Sequence, residues 1–345
     1  MKNKIKSILI ILITIAICLS VGVYAGYTLS ATEVTYTKSD GTTVSVKEAL
    51  DELHTIQPLA KAVSVGDYVA YDATNNYSYK SETGTGSSHG NGYGSQTFTS
   101  SSSIKWRVLG WDETTGGVML VSEAPIQTDA SANFYMKGGI GYLYAEQELN
   151  NICAIYGHGT GANTSKKFKY LTGDIIEGTT TGTITGSGAR SINVDDINKI
   201  CNVTPSKDLS SDYGKAPYTK SIYYPTTSQS TGKSKSAASR TDVHTYYYYT
   251  GSTYLTRTEE PYKMLFRNIT YWLASRCVYS RSSDSNFRVR RVYSENVHYD
   301  SLGRGGSSGF GGDPSSNGVR PIVYLKSSIQ TNGKNSSGAW TIIDK

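Results

Sequence analysis

The chain has 345 residues, enough for one large domain with appendages. Only 18% of the residues are charged, and the net charge of +6 is spread along the chain. No block of lysines and arginines is present, which argues against a nucleic-acid partner. Tyrosine occurs 28 times against 6 phenylalanines, and this excess is typical of proteins that make contacts at wet surfaces.

The N-terminus carries lysines at positions 2, 4 and 6, followed by an apolar run from Ile8 to Ala25. The run is near the lower length limit for crossing a bilayer, and the lysines would stay inside the cell. Residues 1–30 are therefore predicted to be a membrane anchor that holds the rest at the extracellular face. The alternative is a cleaved signal peptide and a secreted protein, because Val23-Tyr24-Ala25 has the form of a signal-peptidase site.

Residues 31–57 are predicted to form a stalk of one short strand and one helix. Ser45 and Glu48 fit a capping box at the start of that helix. The helix is too short to be stable alone, so it should dock on the main domain or form a homo-oligomer through residues 45–54. Pro58 ends the helix, and residues 58–66 are predicted to be a linker.

Residues 67–345 are predicted to form one α+β domain with long loops rich in Gly, Ser and Tyr. A hairpin is expected over Ile104–Ser122, with its turn at Asp112–Gly117. Two helices are expected, one over Tyr144–Gly157 and one that begins after an N-cap at Asn193.

The chain contains few signs of catalytic or metal chemistry. Four cysteines are present; Cys153, Cys201 and Cys277 lie beyond the apolar run, and their pairing is left open. The neighbouring Arg276 would favour a lowered pKa at Cys277, but no histidine partner can be assigned. No Cys-x-x-Cys pair, metalloprotease motif, phosphate loop or EF-hand loop occurs. We therefore predict no enzymatic activity, no metal and no cofactor.

The segment 277–318 begins at the end of a predicted buried strand, Asn268–Val278, and precedes another, Val319–Ile329. It lacks Lys, Gln, Met and Trp and contains one Glu, yet it holds five of the chain's twelve arginines. Every residue type in it except that Glu can be reached from an Asn codon by changing the two adenines and keeping the final pyrimidine. The composition indicates a polar loop produced by targeted randomisation, the alternative being a surface loop of accidental composition. Fixed apolar residues interrupt it: Phe287, Val289, Val292, Val297 and Leu302.

The sequence YWLASRCV, the polar run after it and NGVRPIVYL resemble the C-terminal part of bacterial C-type-lectin-fold proteins. That group includes proteins similar to the formylglycine-generating enzyme and phage tropism determinants. More narrowly, the chain resembles target proteins of diversity-generating retroelements and surface or prophage-borne proteins of clostridia-like bacteria. The match is best over 268–325, moderate over 104–126 and loose over 1–57. It implies a C-type-lectin-like domain whose variable segment is rewritten by an error-prone reverse transcriptase.

The resemblance assigns roles by position. Framework positions, expected to hold the core, are Trp272, Ala274, Ser275, Gly318, Arg320 and Pro321. Variable-type positions, expected to project as a ligand-binding surface, are Tyr279, Arg281, Asp284, Tyr293, His298, Tyr299, Asp300, Arg304, Phe310 and Asp313. Glu295 lies outside the randomisation scheme and would be a fixed residue.

These expectations describe a surface-displayed protein that binds a protein or glycan on another cell, a host or a phage. One alternative is a structural surface protein or adhesin without diversification. A third, less favoured, is an enzyme of the formylglycine-generating type, whose paired catalytic cysteines have no match in this sequence.

Overall fold

The structure is a computed structural model that divides into two compact units, residues 1–57 and residues 58–345. The residues that it describes are 34–37, 41–48, 56–73, 76–81, 96–126, 133–172, 180–202, 206–207, 222–224, 233–235, 247–248, 259–266, 269–280, 284–293, 296–306, 309–312 and 314–344.

Strands predominate in the described part of the chain. They are β1 Thr35–Thr37, β2 Thr43–Ser45, β3 Gln57–Pro58, β4 Tyr68–Val69, β5 Ser78–Ser81, β6 Gln96–Thr99, β7 Trp106–Trp111, β8 Val118–Ser122, β9 Phe134–Lys137, β10 Phe168–Thr172, β11 Thr180–Ile184, β12 Ala189–Ser191, β13 Ser206–Lys207, β14 Ile222–Tyr224, β15 Lys233–Lys235, β16 Tyr247–Tyr248, β17 Tyr271–Ser280, β18 Asp284–Tyr293, β19 Asn296–Gly306, β20 Gly309–Gly312, β21 Pro314–Asn317, β22 Pro321–Tyr324 and β23 Gln330–Thr331. The helices are α1 Leu59–Ala62, α2 Gly138–Ala154, α3 Val194–Ile200 and α4 Glu260–Phe266.

The first unit contains an antiparallel pair, β1 with β2, in which Thr35 lies opposite Ser45. A helix begins at Val46. The backbone N–H of Glu48 donates to Ser45 Oγ at 3.1 Å, and the backbone N–H of Ser45 donates to Glu48 Oε2 at 2.8 Å. The predicted capping box is therefore confirmed. The predicted anchor, residues 1–30, and residues 49–54 of the predicted oligomer contact lie outside the described residues.

A five-stranded antiparallel sheet in the order β12-β22-β8-β7-β4 forms the centre of the second unit. Strands β7 and β8 are the predicted hairpin, with Trp106 opposite Ser122. The side chains of β8 and β22 are buried along their whole lengths. Such strands have continuous apolar runs, which explains why their positions were predicted from the sequence.

A second antiparallel sheet has the order β17-β18-β19-β20 and contains most of the segment 277–318. The prediction of a polar loop here is wrong. Glycine, serine and arginine have little preference for strands, but cross-strand pairing and burial of neighbouring apolar residues outweigh that preference.

Helix α2 packs against β10, β12 and β17. It is the helix predicted over Tyr144–Gly157, but it begins earlier, at Gly138, where three glycines of low helix propensity are buried. The predicted N-cap of α3 is confirmed, because Asn193 Oδ1 accepts from the N–H of Asp196 at 2.9 Å.

The predicted fold class, an α+β and C-type-lectin-like domain with long loops behind an N-terminal transmembrane or signal helix, is wrong as stated. The described residues form mostly antiparallel sheet, and segments predicted as loops are paired strands. In this part of the chain, no helix has the length and apolar character needed to cross a bilayer.

Five of the six framework residues are buried as predicted, whereas Ser275 is half-buried. Trp272 is fully buried, and its Nε1 donates to the carbonyl of Phe134 at 2.8 Å. A side chain at Gly318 would place its Cβ 2.5 Å from Pro125 Cβ, so only glycine fits there. Arg320 is also fully buried and donates to the carbonyls of three residues, Ser122 at 2.9 Å, Glu123 at 3.0 Å and Met264 at 2.6 Å.

Candidate functional site

Four of the predicted contact residues lie together on β18 and β19. Together with one arginine they form what we call the β18–β19 cluster, which consists of Arg291, Tyr293, His298, Tyr299 and Asp300. The strands pair in antiparallel register, with Arg291 opposite His298 and Arg290 opposite Tyr299. This register brings residues from both sides of the turn within reach of each other.

The aromatic part of the cluster is the most exposed. Tyr293 is 52% exposed, and its ring centroid lies 6.4 Å from that of His298. The rings of His298 and Tyr299 are stacked, with centroids 4.7 Å apart. The guanidinium carbon of Arg291 lies 4.6 Å from the Tyr293 ring centroid, and that of Arg288 lies 3.9 Å from the Tyr299 ring centroid. Aromatic rings backed by guanidinium groups are typical of binding surfaces.

The polar part of the cluster is held by bonds within the protein. Asp300 accepts from Arg291 Nη2 at 2.9 Å, from Asn317 Nδ2 at 2.9 Å and from the hydroxyl of Ser315. Arg291 Nη1 in turn donates to Asn317 Oδ1 at 3.1 Å. This network joins β18 and β19 to β21, so Asp300 orients its neighbours. Its predicted role as a ligand contact stays a prediction.

The apolar residues of the same segment behave as predicted. All five fixed positions are at most 1% exposed: Phe287, Val289, Val292, Val297 and Leu302. Val289 and Leu302 belong to one hydrophobic cluster, whereas Val292 and Val297 belong to the other. The sheet is thus anchored to the core on both of its faces.

The other predicted contact residues are placed only by their backbones or not at all. Tyr279 lies opposite Asn286, and Asn286 lies opposite Arg304, so these positions share one row across the sheet. Asp284 begins β18, and Phe310 lies on β20 opposite Gly305. Arg281 and Asp313 lie outside the described residues.

Sequence reasoning missed four residues that contact the predicted ones: Arg288, Arg291, Ser315 and Asn317. The excess of arginine in segment 277–318 was a usable signal for the first two. The serine and the asparagine carried no signal, because neither residue type is rare in the segment.

The lowered pKa that a neighbouring Arg276 would favour at Cys277 is not found. Cys277 is fully buried, and burial raises the pKa of its thiol above the ordinary value, against the opposing effect of Arg290 and Arg288. Cys153 and Cys201 are also buried free thiols, so these three cysteines form no disulfide with one another. Within the described ranges, no group of three or more His, Cys, Asp or Glu residues is arranged to hold a metal ion.

No family model matches the chain, and neither the curated proteins nor the solved structures contain a significant match to it. The resemblance to lectin-fold variable proteins therefore rests on the sequence motifs alone.

Proposed function

We propose that the chain is a ligand-binding protein displayed outside the cell, and that the β18–β19 cluster is part of its recognition surface. One observation carries the proposal. Within a single segment, the five fixed apolar residues are at most 1% exposed, whereas Tyr293 is 52% exposed beside the ring of His298, which in turn stacks on Tyr299. Packing therefore constrains one set of residues and leaves the other set available for contact.

The side chains of the cluster suit a protein or glycan ligand. Tyrosine and arginine contribute large energies per residue at interfaces, and an ordered sheet lowers the entropic cost of holding them in place. In this proposal the framework keeps its shape while the exposed positions change, as the resemblance to retroelement targets implies. The strand pairs of β17 to β20 would serve as the constant scaffold.

Binding can be tested with the full chain on glycan and surface-protein arrays. We expect the chain to bind a ligand on these arrays, and the double variant Tyr293→Ala/His298→Ala to bind it at least about tenfold more weakly. Truncating a side chain that anchors an interface typically lowers the binding free energy by more than about 1 kcal/mol. The matched control is Tyr135→Ala, another exposed tyrosine outside the cluster. Equal loss in both variants, or binding unaffected by the double variant, would contradict the assignment.

Diversification can be tested separately from the coding DNA. Arginine and glycine codons permit a purine or a pyrimidine at the third base, so Arg281, Arg304 and the glycines of the segment are informative. Pyrimidine endings at these codons, and a reverse-transcriptase gene beside a near-identical template, are the expected result. Purine endings throughout would favour a structural surface protein or adhesin without diversification.

A further inference from the structure

A cleft of about 390 Å³ lies on the second unit, between α2, β10, β17, β18 and the residues that lead into α3. We propose that this cleft is a second binding site, and that it takes a small hydroxylated molecule carrying one carboxylate. The volume lies within the range of small-molecule sites. The site does not depend on the proposed function of the β18–β19 cluster.

Two buried arginines line the cleft. Arg276 and Arg290 are each only 2% exposed, although both reach the cleft wall. Burying a guanidinium group is costly unless charge and hydrogen bonds compensate for the lost water. Arg276 Nη1 donates to the carbonyl of Leu143 at 2.8 Å, which fixes the orientation of its planar head.

Glu146 holds the floor of the cleft in place. Its carboxylate accepts from the backbone N–H of Leu171 at 2.8 Å and from that of Arg276 at 3.2 Å. Its Oε1 also lies 3.7 Å from Arg276 Nε. A carboxylate engaged by three groups is not a ligand contact, so we assign Glu146 a positioning role.

The charges of the lining indicate the charge of the ligand. Three cationic side chains, Lys169, Arg276 and Arg290, face two carboxylates, Glu146 and Asp195, which leaves an excess of one positive charge. A monoanion would balance this positive charge, whereas a doubly charged phosphate would leave one negative charge without a counter-charge in the cleft. The planar fork of arginine matches the two oxygens of a carboxylate.

The remaining polar groups indicate hydroxyls on the same ligand. Asn193, Ser275 and Tyr170 also line the cleft. Asn193 Oδ1 already accepts from the N–H of Asp196, and Ser275 Oγ accepts from that of Val194. The Asn193 amide N–H groups and the two hydroxyls are thus the donors offered to sugar-like hydroxyl groups. The ligand class is therefore a small hydroxy acid, such as a sugar acid.

Within the cluster, Arg291 lies on the face of β18 opposite to the cleft, whereas Tyr299, which pairs with Arg290, lies on the same face as the cleft. Consecutive residues of a strand point to opposite faces. Accordingly, Arg290 lines the cleft, while Arg291 contacts Asp300 and Tyr293. A change at Arg290 should therefore leave the contacts of Arg291 with Asp300 and Tyr293 intact.

The test is a calorimetric titration of the full chain with glucuronate, glucose and sulfate. We expect glucuronate to bind at least about tenfold more tightly than glucose, since hydrogen bonds to a charged group contribute roughly 1.5–3 kcal/mol. Equal affinity for glucose and glucuronate, or no detectable binding of glucuronate, would overturn the proposal. Sulfate that binds as tightly as glucuronate would also overturn it, because the cleft would then be a general anion site.

Variants locate the binding. Arg290→Gln should weaken glucuronate binding at least about tenfold, provided that its thermal melt remains cooperative. If that variant fails to fold, Lys169→Gln provides the readout, because Lys169 is exposed at the rim. Its matched control is Lys167→Gln, also exposed but outside the lining. Equal affinities of Lys169→Gln and Lys167→Gln, or unchanged binding in a folded Arg290→Gln, would count against the cleft.

Discussion

The five-stranded sheet and the four-stranded sheet of the second unit bury their side chains in different ways. In the first, β8 and β22 are buried at every residue and consist largely of aliphatic side chains. In the second, single apolar residues such as Val289 alternate with arginines, and two of those arginines, Arg288 and Arg290, are themselves buried. One sheet is held by a continuous apolar layer, whereas the other combines isolated apolar anchors with buried charge. In the four-stranded sheet, core packing therefore does not constrain the residue type at every position.

The largest expected effect lies at Arg320, which bonds to Ser122 of β8 and has its guanidinium carbon 5.2 Å from the ring centroid of Tyr271 on β17. Arg320→Ala leaves the carbonyls of Ser122, Glu123 and Met264 without their donor, so we expect a loss of about 3–5 kcal/mol in the free energy of unfolding. Urea denaturation measures this, with the exposed Lys167→Ala as control. A loss below about 1 kcal/mol would mean that the core tolerates the change without the arginine.

The next effect separates the two sets of residues within segment 277–318. Leu302→Ala removes a fully buried side chain and should cost about 2–5 kcal/mol, because a cavity remains. Tyr293→Ala, at a position 52% exposed, should change the free energy of unfolding by less than about 0.5 kcal/mol. Chemical denaturation of both variants side by side checks this. Similar losses in the free energy of unfolding for the two variants would contradict the proposed distinction between scaffold and contact residues.

A smaller effect is expected in the polar network of the four-stranded sheet. Asp300→Asn keeps the shape of the side chain but removes the charge that pairs with Arg291 at 2.9 Å. Both side chains are mostly buried, so we expect a loss of about 1–2 kcal/mol, and less at high salt. Thermal melts at low and high salt measure it. Asp300→Ser should lower stability more than Asp300→Asn, because it also removes the hydrogen bonds to Ser315 and Asn317.

The smallest effect belongs to the turn of the five-stranded sheet. Burial alone would raise the pKa of Asp112, but hydrogen bonds from Lys166 at 2.7 Å and Thr115 at 2.6 Å hold it below its ordinary value of 3.8. A carboxylate with a lowered pKa stabilises the fold above pH 3.8, and that stability is lost as the pH falls through the folded-state pKa. We expect Asp112→Asn to flatten the stability profile between about pH 4 and pH 2. An unchanged profile would show that other carboxylates dominate.

Local features were predictable from the sequence. The capping boxes at Ser45 and Asn193 are formed by residues three positions apart, so the sequence already places the partners in contact. The β7–β8 hairpin follows from two apolar runs around a short turn. Composition also separated the buried apolar residues of segment 277–318 from its polar ones, although it did not predict their strands.

Features that depend on distant partners were not predictable. Asp300 and Asn317 are 17 positions apart, and their contact exists only because β21 lies beside β19. The cleft depends on Glu146 and Arg276, which are 130 positions apart. Neither residue type is unusual in its own stretch of sequence.

The sequence by itself determined the capped starts of the helices at Val46 and Val194, which apolar residues of segment 277–318 are buried and five of the six framework residues of the core. Those outcomes depend on neighbours along the chain or on the strong tendency of apolar side chains to leave water. Only the tertiary structure decided that a glycine-, serine- and arginine-rich segment is a sheet, and that Arg290 and Arg291 serve opposite faces of it. The physical reason is that strand pairing and charge burial are stabilised by residues far away in sequence, whose positions no local pattern encodes.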